Sequence, residues 1–147
     1  MKNARRGTIA LVLLAASACV APARSFDAYE AKAADTSDSA LSAVETGRLA
    51  ATTAGKDGSF ATTLSVVLAD AEKDASGARG TFESIQPPDQ RSDALRAQLD
   101  SILDRAVEGL SRLRITVRRG EIASLPSVAR PLASVSHDLE AFSNAHS

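Results

Sequence analysis

Cysteine, methionine and tyrosine each occur once in the 147 residues, and tryptophan is absent. The methionine is Met1 and the cysteine is Cys19, both inside an amino-terminal leader, so a processed chain keeps no methionine and no free thiol. Disulfides, thiolate catalysis and zinc–cysteine sites are excluded in either redox compartment. Histidine is scarce as well, with only His137 and His146. Haem needs axial His, Met or Cys, and a di-iron bundle needs Glu-x-x-His pairs, which occur nowhere in the chain. There is no Gly-rich phosphate loop, no Ser-His-Asp set and no metal-ligand spacing, so neither catalysis nor a cofactor nor a metal is expected. An excess of positive charge is also missing. Without Lys2, Arg5 and Arg6 the 17 basic residues fall to 14 against 18 acidic ones, a net charge of about -4 that does not suit a nucleic-acid binder.

One apolar run stands out, over residues 9–20, preceded by Lys2, Arg5 and Arg6. It is about half the ~20 residues of a membrane-spanning helix and is followed by small residues, which is the pattern of an export signal. Two cleavage sites compete. Ala16-Ser17-Ala18-Cys19, following Leu11, Leu13 and Leu14, resembles the lipobox of bacterial lipoproteins, with Ala16 where that motif usually has leucine. The resemblance implies a Cys19 that becomes the acylated first residue and ties the protein to a membrane. Ala21-Pro22-Ala23 is an A-x-A site that would release a free protein starting at Arg24. Arg5-Arg6 is a weak twin-arginine signal, because Gly7 and Thr8 lack the apolar character expected after the pair. The domain division is therefore an export signal over 1–23 and one domain over 24–147, large enough for a single core.

Helical periodicity runs through that domain. Leu95, Leu99, Ile102, Ala106, Leu110, Leu113 and Val117 recur every three or four residues, as do Phe60, Leu64, Val67, Ala71, Ala75, Ala78, Phe82 and Ile85, and Leu125, Val128, Leu132, Val135, Leu139 and Phe142. The first seam, Tyr29, Ala33, Ala40, Val44, Gly47 and Ala51, is built from small residues, with Leu41 and Leu49 on its flank. It allows close helix approach but buries less area. Punctuation separates the stripes: Gly55 to Ser59, with Ser59 a candidate N-cap of the second helix; Gln86-Pro87-Pro88-Asp89, with Asp89 or Ser92 a candidate cap of the third; and Gly120 after Arg118-Arg119. The expected helices cover 26–54, 59–86, 89–119 and 122–145. Their similar lengths and short connections predict an all-α, up-down-up-down antiparallel four-helix bundle. Pro131 interrupts the fourth stripe and predicts a kink, with a short irregular turn around Pro126. Gly77 and Gly80 lie inside the second helix, where close contact with a neighbour would explain them.

Asp70, Glu72, Asp74, Glu83, Asp93, Asp100, Asp104 and Glu108 flank the stripes with Arg96, Arg105 and Arg112 among them, the pattern of a solvated face with weak ion pairs. His137 lies two positions before core Leu139, roughly 200 degrees around the helix, and should face water. A solvent-facing histidine on a bundle suits a phosphotransfer domain, but the Lys-Gly expected after it is absent. Arg112, Arg114, Arg118 and Arg119 form the sharpest charge cluster. They either stabilise a helix C-terminus or contact an anionic surface, whether lipid headgroups or an acidic envelope polymer.

The stretches Tyr29-Glu30-Ala31-Lys32, Ser42-Ala43-Val44-Glu45-Thr46, Ser65 to Glu72 and Phe82 to Pro88 resemble uncharacterised small exported helical proteins of high-GC bacteria. That resemblance implies an envelope helical bundle and transfers no catalytic residue. Two functions are expected from these readings. One is a non-catalytic envelope interaction module, lipid-anchored through Cys19, binding a protein or polymer. The other is a secreted carrier or sensor with an apolar cleft between helices near Gly47, Gly77, Gly80 and Pro131.

Overall fold

The first helix begins where Ser25, in extended conformation, accepts the Ala28 amide on its hydroxyl at 3.3 Å. In the computed structural model, which describes residues 23–54 and 61–147, this helix (α1) runs Phe26–Thr53. Residues 1–22, with Cys19, and residues 55–60, with the expected turn from Gly55 and the candidate cap Ser59, lie outside the described residues. Helix α2 runs Ala61–Glu83 and α3 Gln90–Arg118; a 3-10 turn, Ile122–Ser124, then leads into α4, Leu125–Ala129, and α5, Leu132–Ala145. The described residues form an all-helical fold of packed helices, with α4 and α5 as two pieces of the fourth stretch.

Local chemistry explains the boundaries. Helix α2 stops three residues short of the expected 86. The residue before each proline avoids the helical region, and Ile85 closes a turn onto the Phe82 carbonyl at 3.0 Å. The guanidinium of Arg96 then donates to the Glu83 carbonyl at 2.5 Å and to that of Ile85 at 3.4 Å, satisfying acceptors the helix leaves open. Asp89, not Ser92, caps α3: its carboxylate accepts the Ser92 amide at 2.8 Å, which holds the Asp89 carboxyl below its usual range. At the other end Gly120 takes φ +75°, its amide reaches the Val117 carbonyl and that of Glu121 reaches Thr116, completing a Schellman closure. Pro131 breaks the fourth stretch outright, where a kink was expected. The Ser127 carbonyl loses its helical donor and accepts instead from the Arg130 amide at 3.4 Å.

The core follows the three long stripes with local shifts. Leu68 is fully buried while Val67 and Ala78 are only partly so, and Val128 is partly buried. Tyr29 and Phe82 meet at 5.3 Å between ring centres in a tilted pair. Helix α1 packs against α2, α3 and both pieces of the fourth stretch, so it buries Ala34, Ser37 and Ala43 beside its expected seam. Ser37, with no exposure, donates to the Leu139 carbonyl at 2.9 Å.

Two glycines set how close the helices come. A Cβ at Gly47 would lie 2.3 Å from Leu110 Cδ2, and one at Gly109 would lie 2.4 Å from Leu132 Cδ2. Gly77 and Gly80, expected to make such contacts, have nothing within 4 Å of a built Cβ. They face outward because Ala71, Ala75 and Phe82 carry the buried side of α2.

Candidate functional site

Along their outer faces α1 and α2 leave a groove that the remaining helices do not cover. At the end formed by the last turns of α1 and the first turns of α2 it deepens into an apolar cleft of about 460 Å³. Leu49, Ala50, Leu64, Val67 and Ile122 supply its walls, with Thr46, Thr53 and Thr63 among them. The Thr46 hydroxyl is donated to the Ser42 carbonyl at 2.8 Å and that of Thr53 to Leu49 at 2.8 Å, so neither keeps a proton to donate to a ligand. Leu49 is 65% exposed and Val66 55%, and both lie at this end.

Thr46 and Val67 also line the middle of the groove, a pocket of about 300 Å³ whose ionisable groups are Asp70 and Asp74. Ser39 and Asp74 lead on to a wider section of about 580 Å³ that includes Lys32, Asp35, Lys73 and Gly77. The three sections therefore form one channel floored by small residues. Among the described residues none of Lys32, Asp35, Asp70, Lys73 or Asp74 takes part in an ion pair. The apolar cleft thus sits between α1 and α2, away from Gly80 and Pro131, where one was expected; Gly47 is filled by Leu110, and Gly77 lies at the charged end.

The arginine cluster is split by its neighbours. Arg114 forms a two-pronged pair with Glu72 of α2, in which Nη2 lies 3.2 Å from Oε1, and this pair lowers the pKa of the Glu72 carboxyl. Arg112 pairs with Glu108 one turn earlier on α3. Arg118 and Arg119 are exposed and make no ion pair among the described residues. His137 faces solvent on α5. His146 lies 2.8 Å from Glu30 and stacks on Phe142, tying the end of α5 to the start of α1.

One polar cluster escaped the sequence reading. Tyr29 Oη and Asp100 Oδ1 are both buried without a hydrogen-bond partner. Burial raises the pKa of each, opposed in both cases by the nearby Arg96 guanidinium. Asp100 Oδ2 lies 3.6 Å from Arg96 Nε. Asp100 was expected among solvated carboxylates; the signal in the sequence was its place next to Leu99 and one turn after Arg96. Gly109, which admits Leu132, was also overlooked, since it falls between stripe positions Ala106 and Leu110. Among the described residues no helix is long and apolar enough to cross a membrane, and no group of His, Cys, Asp or Glu is gathered as for a metal ion.

No family model, no curated protein and no solved structure matches the chain.

Proposed function

We propose that this chain is a non-catalytic protein of the bacterial cell envelope, held on the extracytoplasmic side by an acylated Cys19, that binds another envelope component through the groove between α1 and α2. The observation that carries the reading is the groove. It runs along two helices, is apolar at one end and charged along the rest, and is left uncovered by the other described residues while the opposite faces of the same helices form a close-packed core.

The proposal includes an up-down-up-down order of the four stretches. Its support is the register of cross-helix contacts: Tyr29 with Phe82, Glu72 with Arg114, Arg79 with Asp104, Gly109 with Leu132, and Ser37 with Leu139. Between α2 and α3 the numbers run in opposite senses, Glu72 to Arg114 and Arg79 to Asp104, as they do between α3 and α5, Arg105 to Asp138 and Gly109 to Leu132, while Tyr29 at the start of α1 meets Phe82 at the end of α2. In this order a tether at Cys19 holds the start of α1, because the seven steps from Cys19 to Phe26 reach at most about 24 Å. The end of α3, with Arg118 and Arg119, then stands about 40 Å away along the bundle. The arginines would accordingly face outward to an acidic envelope polymer, away from the headgroups of the anchoring bilayer.

Two measurements test this. In a bacterium with lipoprotein processing, the protein should fractionate with membranes at the mass of an acylated species starting at Cys19, and Cys19→Ser should move it to the soluble fraction. A soluble species starting at Arg24 overturns the tether. A photo-crosslinking residue at Leu49 should capture an envelope component that the same group at His137 does not; no adduct from Leu49 in the native envelope overturns the binding role.

The apolar cleft of about 460 Å³ also favours a second reading, a carrier for a small apolar ligand. Under that reading an apolar compound raises the melting temperature of the protein, and Leu49→Asp abolishes the shift.

A further inference from the structure

We infer that the occupant of the groove is a cationic amphipathic helix of a partner protein, with an apolar side chain seated against Leu49, Leu64 and Ile122 and basic side chains over Asp70 and Asp74. The inference rests on the groove being the binding face. Shape is the first argument. From Lys32 to Ala54 the α1 wall extends about 33 Å, the length of a helix of about 22 residues, whereas a small molecule fills only one section. The floor is made of Ala43, Ala50, Ala71 and Gly77, and side chains this small let a third helix approach to the ordinary packing distance of 8–10 Å.

Chemistry selects the kind of helix. The apolar end presents no charged side chain, and the Thr46 and Thr53 hydroxyl protons are already donated to helix carbonyls, so it suits the apolar stripe of a helix better than a charged small ligand. In the middle section the only ionisable groups are Asp70 and Asp74, one turn apart on α2. Like charges at that spacing repel, and among the described residues neither is ion-paired: Lys32 and Lys73 line the wider section beside Asp74 without coming within 4 Å of either carboxylate. On the other faces Arg79, Arg96, Arg105 and Arg114 each engage a carboxylate. A basic side chain on an incoming helix relieves the repulsion and fixes the register, since the apolar stripe and the charge must both align. A second copy seated symmetrically on the middle of the groove does not fit. A two-fold axis through the middle of the groove, either along the helices or across them, sets Asp70 and Asp74 against their own copies.

The test is a display library of helical 21-residue peptides on an Ala/Leu scaffold, with surface positions varied among Lys, Glu and Leu, selected against the mature protein and against an Asp70→Lys, Asp74→Lys variant. Both aspartates are exposed, so the variant should melt as the parent does. The parent should enrich lysine over glutamate about two turns or more from a leucine-rich end. The variant should enrich glutamate and weaken the parent's best peptide about tenfold. Identical selections on the two proteins, enrichment of glutamate by the parent, or no enrichment at all would overturn the inference. So would a concentration-dependent dimer of the parent that Leu49→Asp dissolves. A Leu49 crosslink to an envelope component combined with charge-blind selection refutes the cationic helix alone, whereas absence of both removes the binding role as well.

Discussion

Replacing glycine by alanine at four positions of this bundle should give opposite signs, and the contrast is large enough to measure. In a helix interior the exchange favours the folded state by about 1 kcal/mol, because glycine loses more backbone freedom on folding. At Gly77 and Gly80 a new Cβ meets no heavy atom within 4 Å, so nothing opposes that gain. Each substitution should add about 1 kcal/mol, or about 4 °C in melting temperature for a domain of this size. At Gly47 the same Cβ falls 2.3 Å from Leu110 Cδ2, and Leu110 has no exposed surface to retreat into. Overpacking of this kind costs about 1–3 kcal/mol, so Gly47→Ala should be neutral to about 2 kcal/mol destabilising. Gly109→Ala should be worse. Leu132 Cγ as well as Cδ2 lies within 3.0 Å of the new atom, and rotation about χ2 alone, which moves only the methyl groups, leaves the branch point where it is. Urea unfolding of the mature chain followed by helical circular dichroism would rank the four. Stabilisation by Gly47→Ala equal to that of Gly77→Ala would refute the close approach of α1 and α3, and loss of stability in Gly77→Ala or Gly80→Ala would mean that a neighbour does rest on α2 there.

Tyr29→Phe removes a buried hydroxyl that has no partner and should be neutral or stabilising by up to about 1 kcal/mol; a clear loss in urea unfolding would show that the hydroxyl is satisfied. Ser37→Ala deletes the bond to the Leu139 carbonyl across two helices and should cost about 1 kcal/mol, with no loss arguing that the bond adds nothing in solution. Because Arg114 lowers the Glu72 pKa, the stability this pair contributes is present above the ordinary carboxylate range and disappears as pH falls through the lowered value. Arg114→Gln should therefore cost about 1 kcal/mol at pH 7 and nothing in acid; a pH-independent difference would contradict the pairing. Asp100 has the opposite sign. Its pKa is raised, so the folded state gains stability as pH falls through that value, and Asp100→Asn should stabilise at neutral pH and flatten that part of the profile.

Helix class, the three long stripes and most turn positions were legible along the chain because they depend on residues within one or two turns of each other. Period, capping at Asp89 and the left-handed Gly120 are of this kind. The early end of α2 was not, because Arg96, eleven residues beyond Ile85, supplies the donors that close it. Pro131 was read as an interruption from its missing amide, but whether the helix bends or breaks depends on what else the Ser127 carbonyl can accept. The pairing of Arg114 could not be seen locally, since Glu72 is 42 residues away, and for Asp100 the neighbours Leu99 and Arg96 were a local hint whereas Tyr29 is brought to it only by the packing of α1.

What the sequence determined by itself is a chain with a leader pattern, no thiol after it, and helices whose apolar faces are marked by small and large residues at regular spacing. Which glycines are crowded, which charges are answered, and where a groove stays open were decided only by tertiary packing. A stripe records that a face is apolar; it does not record which face of the next helix meets it, and that choice leaves the outer sides of α1 and α2 uncovered.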